Sequence, residues 1–213
     1  MREPTTLVAA DGVELEAELA RPDGTVRAGA VLCHPHPQFG GTMRSIVISA
    51  LFDALPAAGV TCLRFNFRGV ESSGGAFDEG RGECDDARAA ITALAPQLPA
   101  GAPLLLAGWS FGGDVSLSVD DPAVAAWFAI APPLRFARLG AIPGDPRPKL
   151  IALAEHDEVR APTAIAAEVA TWRATEVEVV PGASHFFVGR TDRLVELGVA
   201  FVDRLAPERS GGS

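Results

Sequence analysis

The sequence has few cysteines and almost no lysine. Cys33, Cys62 and Cys84 are the three cysteines in 213 residues, and no Cys-x-x-Cys spacing occurs. An odd number of scattered cysteines indicates small buried side chains and argues against a disulfide framework or a thiolate metal site. Lys149 is the only lysine, which we interpret as a compositional bias without mechanistic meaning.

Long apolar runs and an excess of positive charge are also missing. No stretch reaches the roughly 18 apolar residues of a membrane span, and the amino terminus lacks the charged and then apolar order of a signal peptide. The 27 acidic and 18 basic residues give a net charge of −9, which argues against a nucleic-acid surface. We therefore expect a cytoplasmic protein that binds neither nucleic acid nor membranes.

Apolar runs suited to buried strands alternate with helical patterns along most of the chain. The polar and apolar alternation of residues 5–20 around Asp11 and Gly12 predicts an antiparallel hairpin. The later alternation predicts an α/β protein with a mostly parallel sheet of about eight strands and helices on both faces. We expect one domain over residues 1–207 and a flexible tail over 208–213.

The spacing of apolar residues also predicts helix bounds and the absence of a lid. The predicted helices cover 43–58, 83–95, Ser110 to about Asp120, and 190–206. One further helix is predicted to begin at Pro162 and to carry Trp172 on its inner face. Only about seventeen residues, 132–148, separate two predicted strands. That connection is too short for a cap domain, so we expect an open pocket suited to small acyl groups.

A catalytic motif stands at the centre of the chain. Residues 104–107 are apolar and lead directly into Gly-x-Ser-x-Gly at 108–112. A strand, a sharp turn and a helix in this order hold a serine on strained backbone with its hydroxyl exposed. Glycines at both ends allow the strand and the helix to approach closely. We therefore predict that Ser110 is a nucleophile.

A base and an acid follow at the ends of two later predicted strands. Asp157 ends an apolar run that begins at Lys149, and His185 follows a Pro-Gly turn. The order Ser, Asp, His is the one expected for an α/β-hydrolase. Glu155 and Glu158 flank the aspartate, so either of them remains an alternative acid.

The loop after the Ala28–Cys33 strand is predicted to help bind a transition-state oxyanion. One donor should be the N–H of Phe111, which follows the nucleophile at a helix start. Proline has no N–H, so His36, between two prolines, offers the first usable amide of the loop that we expect to face the pocket, with Gln38 as the fallback. A metal site at His34 and His36 is the rival interpretation, but no carboxylate or third histidine lies near them in sequence.

The substrate is expected to contact aromatic and polar side chains beside the nucleophile. We assign Trp109, Gln38 and Phe39 to substrate binding, although Trp109 is equally explained as a packed aromatic residue at the turn. A small acyl compound is the expected partner, with no metal ion and no cofactor. A homodimer remains open.

Four segments together resemble a known family. HPHPQFGGTM at 34–43, LRFNFRGV at 63–70, GWSFGG at 108–113 and PGASHFF at 181–187 resemble the small, lid-less bacterial α/β-hydrolases, which are similar to dienelactone hydrolases and prolyl-peptidase-like esterases. The resemblance implies the triad Ser110, Asp157 and His185 with an oxyanion loop at His36. Dienelactone hydrolases have cysteine in place of Ser110, which argues against that particular activity.

These observations predict a serine hydrolase that works through an acyl-enzyme, most simply a carboxylesterase for small acyl esters. A peptidase or a thioesterase would use the same machinery. A non-catalytic binding protein that kept the fold is the alternative from another class.

Overall fold

The computed structural model describes residues 2–206, whose strands form an eight-stranded sheet. The strands are β1 (Arg2–Val8), β2 (Glu14–Ala20), β3 (Ala28–Cys33), β4 (Val60–Phe65), β5 (Leu104–Trp109), β6 (Val124–Ile130), β7 (Lys149–His156) and β8 (Thr175–Ser184). Their order across the sheet is β1-β2-β4-β3-β5-β6-β7-β8. β2 pairs antiparallel with both β1 and β4, and all other pairs are parallel. The predicted mostly parallel sheet with an antiparallel amino-terminal hairpin is confirmed.

Helices cover both faces of this sheet. They are α1 (Ile46–Ala54), α2 (Arg81–Leu94), α3 (Phe111–Ser116), α4 (Pro162–Val169) and α5 (Thr191–Leu205). Successive residues of a strand point to opposite faces, so Leu104 and Leu106 of β5 pack in one apolar cluster while Leu105 packs in the other. The first cluster contains side chains of α2, α3 and α4, and the second contains those of α1 and α5. The two-layered core follows from this alternation.

Two predicted helices are shorter in the structure. The prediction for 43–58 extended too far, because the α-helix ends at Ala54 and residues 55–58 form a 3-10 turn. Pro56 lacks the N–H that an α-helical hydrogen bond would need at this point. The predicted helix from Ser110 to Asp120 ends at Ser116, where the Ser116 hydroxyl donates to the Gly113 carbonyl at 2.8 Å. Serine hydroxyls compete in this way with the regular helical pattern.

The inner face of α4 also differs from the prediction. Pro162 is the first residue of the helix as predicted, but the helix ends at Val169. Trp172 therefore lies beyond the helix, and its backbone N–H donates to the Val169 carbonyl oxygen at 2.9 Å. The Trp172 indole is still buried in the core. The apolar spacing thus correctly indicated which side chains are buried, although it did not indicate where the helix ends.

The connection between β6 and β7 contains one 3-10 turn, Ile142–Gly144, and no α-helix. This confirms that no cap domain covers the carboxyl ends of the central strands. Among the helices of residues 2–206, none is long and apolar enough to cross a bilayer. The tail predicted at 208–213 lies outside the described residues.

Candidate active site

Ser110 lies on the turn between β5 and α3. Its backbone has φ 56° and ψ −121°, a combination that residues with side chains rarely adopt and that commonly marks a functional site. A Cβ at Gly108 would lie 2.0 Å from the Gly112 carbonyl oxygen, and a Cβ at Gly112 would lie 2.2 Å from that of Cys33. Both positions therefore require glycine, because the turn packs backbone directly against backbone.

The ring of His185 lies between Ser110 and Asp157. Its Nε2 is 2.9 Å from Ser110 Oγ, and its Nδ1 is 2.8 Å from Asp157 Oδ2. The His185 and Asp157 side chains are 6% and 3% exposed. When Nδ1–H donates to the carboxylate, Nε2 is left as an acceptor for the serine proton. The structure thus brings the three residues together in the arrangement that the sequence predicts.

Only one of the three neighbouring acidic residues contacts the histidine ring. Glu158 accepts the backbone N–H of His185 at 3.1 Å, and Glu155 accepts that of Gly182 at 2.7 Å. Both glutamates hold the loop that carries His185, whereas Asp157 alone meets the imidazole. This geometry favours the aspartate as the acid.

The Asp157 carboxyl is held in its ionised form. Burial by itself would raise its pKa, but the hydrogen bond with His185 and the amides of Val159 and Arg160 lower it below the ordinary value. Those two amides donate to Asp157 Oδ1 at 2.8 and 3.1 Å. Asp157 is therefore a fixed negative charge beside His185.

The loop after β3 lies against the amino end of α3. The His36 ring centroid is 4.9 Å from that of Phe111, and three further phenylalanine rings surround the imidazole. The amides of His36 and Phe111 donate to no protein acceptor within residues 2–206. Both predicted donors are thus free and belong to residues that line the same cavity as Ser110.

The ring of His34 has a structural position. It is buried, its Nδ1 is 2.6 Å from the Pro35 carbonyl oxygen, and its Nε2 accepts the Phe67 N–H at 2.9 Å. Burial lowers its pKa to about 3, so the ring is neutral. Because both nitrogens already have partners, the geometry does not support the metal interpretation of His34 and His36.

The three residues assigned to substrate binding differ in position. Phe39 lines the cavity and is 85% exposed at its rim. Trp109 lines the cavity and is also packed, since its Nε1–H donates to the His185 carbonyl oxygen at 3.1 Å. Gln38 is not among the lining residues, and its N–H already donates to His36 Nδ1 at 3.2 Å. That bond also removes Gln38 as the fallback oxyanion donor.

A segment that the sequence analysis missed completes the cavity. Asp114, one turn after Ser110 and fully buried, accepts the consecutive backbone N–H groups of Leu134, Arg135 and Phe136 at 2.7, 2.8 and 2.9 Å. Arg135 and Phe136 both line the cavity. The sequence does contain a signal for this segment. Asp114 is a charged residue among small and apolar ones at the start of a helix, and a carboxylate buried there needs hydrogen-bond donors from another part of the chain.

The cavity around Ser110 has a volume of about 570 Å³ and is lined mainly by apolar and aromatic side chains. A larger recess of about 810 Å³ lies near the amino ends of β3 and β4. We assign the site to the smaller cavity because it contains Ser110 and His185 and lies at the carboxyl ends of the strands, where open α/β sheets bind ligands.

Comparison with known proteins places the fold in a family. No protein-family model matches the chain. An uncharacterised protein from Rickettsia prowazekii is 38% identical over 107 residues, which are 49% of this chain and 45% of that protein. The match thus spans about half the length of each.

Two solved structures match almost the full chain. An α/β serine hydrolase homologue from Coxiella burnetii has a TM-score of 0.85 and 35% identity, covering 93% of this chain and 96% of that one. An α/β serine hydrolase without a lid from Xanthomonas campestris has a TM-score of 0.82 and 30% identity, covering 95% and 94%. The chain therefore belongs to the α/β-hydrolase superfamily, among the small serine hydrolase homologues that lack a lid.

Proposed function

We propose that this protein is a serine hydrolase that cleaves esters of small acyl groups through an acyl-enzyme. The observation that carries the proposal is the position of the His185 ring, which lies within hydrogen-bond distance of both Ser110 Oγ and Asp157 Oδ2. A free hydroxyl is a weak nucleophile and needs an adjacent base of this kind.

In the first half of the reaction, Ser110 Oγ attacks the ester carbonyl carbon while His185 Nε2 takes the hydroxyl proton. The negative charge that develops on the carbonyl oxygen is stabilised by the N–H groups of Phe111 and His36. Asp157 keeps Nδ1 protonated and stabilises the imidazolium. Collapse of the intermediate breaks the bond to the alcohol, which leaves with the proton from His185.

In the second half, water replaces the alcohol. His185 Nε2 takes a proton from that water as it attacks the acyl carbon, and the proton then returns to Ser110 Oγ as the acid is released. Each donor to the oxyanion is worth about 10²–10³ in turnover, so both amides must keep their place.

Small acyl groups fit the site better than long chains. The cavity is about 570 Å³, and the short 132–148 connection leaves no cap to enclose a long chain. We expect turnover of p-nitrophenyl esters to fall as the acyl chain lengthens beyond a few carbons.

A fluorophosphonate probe tests the proposal directly. It should label the wild-type protein and should not label Ser110→Ala, and p-nitrophenyl acetate hydrolysis should disappear in the same variant. Failure to label the folded wild type would overturn the proposal in favour of a binding protein. Faster turnover of an aminoacyl amide or an acyl-CoA than of the acetate would replace the esterase assignment with a peptidase or a thioesterase.

A further inference from the structure

Among the residues of 2–206 that line the cavity, Arg135 is the one whose side chain carries a permanent charge. Its Nη2 donates to the Val159 carbonyl oxygen at 3.2 Å. Within residues 2–206 its guanidinium forms no ion pair with a carboxylate, whereas the nearby Arg160 pairs with Glu168. A guanidinium has five N–H donors in a planar fork, so most of those on Arg135 remain available to a ligand.

The backbone that carries this guanidinium is held in place. Asp114 accepts the three successive amides of Leu134, Arg135 and Phe136, and Leu134 has a left-handed φ of 54°. A fully buried carboxylate is costly unless it is hydrogen-bonded, and here its bonds tie the 134–136 segment to the helix that begins directly after Ser110. The backbone of Arg135 therefore keeps a defined position relative to the nucleophile, and its exposed side chain reaches the cavity from there.

The charge is unexpected in its surroundings. The remaining lining is mainly aromatic and apolar, and the chain as a whole carries a net charge of −9, which repels anions at long range. A carboxylate on the substrate would need a local cation to bind here. Arginine suits that task because its fork matches the two carboxylate oxygens.

We propose, on the basis of the hydrolase function above, that Arg135 is a specificity-determining residue that binds a free carboxylate of the substrate. The substrate class is then small esters that also carry a carboxylate, such as half-esters of short dicarboxylic acids. The apolar wall packs against the methylene chain, and the ester carbonyl lies at Ser110.

Two esters of equal chain length test this assignment by kinetics. Monomethyl adipate carries a terminal carboxylate where methyl hexanoate has a methyl group. In the wild type we expect kcat/KM to favour the adipate, and Arg135→Gln should lower the ratio of the two values roughly tenfold, the lower end for a hydrogen bond to a charged group. Arg135→Lys should restore part of the ratio, and the effect should weaken at high salt.

Arg138→Gln is the matched control. Arg138 lies on the same connection and is exposed, and it is not among the residues that line the cavity. Its variant should keep the wild-type ratio. If Arg135 merely braces the loop through Val159, Arg135→Gln will lower both kcat/KM values by the same factor, and the proposal is wrong.

A binding measurement separates this proposal from the proposed catalysis. Ser110→Ala retains the cavity without the nucleophile, and calorimetry can compare its affinity for the two esters. We expect the adipate to bind about tenfold more tightly, with the preference lost in Ser110→Ala/Arg135→Gln. Equal affinities would overturn the role of Arg135 even if the wild type is an active esterase. If Ser110→Ala prefers the adipate but the wild type hydrolyses neither ester, the role of Arg135 is supported and the proposed catalysis is refuted.

Discussion

The indole Nε1–H of Trp109 donates to the backbone carbonyl oxygen of His185 at 3.1 Å. The residue before the nucleophile thus holds the loop that carries the base. His185 has a second backbone restraint in the bond from its N–H to Glu158. The position of the imidazole therefore depends on two other strands, because Trp109 is the last residue of β5 and Glu158 lies just after the end of β7.

Trp109→Phe should lower kcat/KM for p-nitrophenyl acetate by roughly fivefold, because the His185 loop loses a buried hydrogen bond worth about 1 kcal/mol. Trp172→Phe is the matched control, since that indole is buried in the apolar cluster on the α4 side of the sheet. Kinetics and thermal melting of both variants check the prediction. An equal loss of activity in Trp172→Phe would show that a general packing defect is responsible.

Asp157→Asn should preserve the fold and lower turnover by about 10⁴, the effect known for this role. Glu158→Gln and Glu155→Gln should have much smaller effects, because a glutamine oxygen can still accept the amides of His185 and Gly182. Steady-state kinetics of the three variants distinguish the acids. If either glutamine variant is the crippled one, Asp157 is not the acid.

His36→Pro should lower turnover about 10²–10³-fold relative to His36→Ala, because only proline removes the backbone N–H. The native φ of −56° at this position suits proline. Both variants lose the ring contacts with the surrounding phenylalanines, so His36→Ala is the proper reference. Melting temperatures must accompany the rates. Equal turnover in two equally stable variants would exclude the His36 amide as a donor.

Gly112→Ala should destabilise the protein by more than about 2 kcal/mol, because the new Cβ would lie 2.2 Å from the Cys33 carbonyl oxygen and backbone cannot yield as a side chain can. Gly24→Ala is the control, since nothing lies within 4 Å of a Cβ there. Urea unfolding measures both. A Gly112→Ala variant as stable as Gly24→Ala would contradict the close packing of α3 against β3.

Asp114 should make unfolding pH-dependent. Burial raises its pKa to about 6, despite hydrogen bonds from the amides of Phe136, Leu134 and Arg135. The folded protein then holds this proton more tightly than the unfolded chain. The contribution of Asp114 to the free energy of unfolding should be complete below about pH 4, should decrease as the pH rises from about 4 to about 6, and should then stay constant.

Urea unfolding of the wild type and Asp114→Asn between pH 4 and 7 checks this sign. As the pH rises through that interval, the free energy of unfolding of the wild type should fall relative to that of Asp114→Asn. Asp157→Asn is the contrast: the pKa of Asp157 is lowered, so its contribution is complete above about pH 5 and is lost only at lower pH. A difference for Asp114→Asn that moves in favour of the wild type with rising pH would refute the assignment.

Several features of the fold follow from local sequence. The hairpin could be predicted because an Asp-Gly pair favours a tight turn between two strands. In the structure Gly12 has the left-handed φ of 85° that such a turn needs. Ser110, Asp157 and His185 could be named because each follows a predicted strand, and parallel strands end at one edge of a sheet. Helix ends were less predictable, since Pro56 and the serine hydroxyls at the end of α3 act on the backbone without changing the apolar spacing.

The sequence by itself determined the sheet, the order of the triad and the lack of a cap, because these depend on periodicity, on turn residues and on the length of a connection. Only the tertiary structure decided which acidic residue meets His185, that Gln38 lies away from the cavity, and that Asp114 holds the segment carrying Arg135. These are contacts between residues about 20 or more positions apart, or orientations of single side chains. Sequence spacing carries no information on either, because both are determined by how neighbouring strands and loops pack.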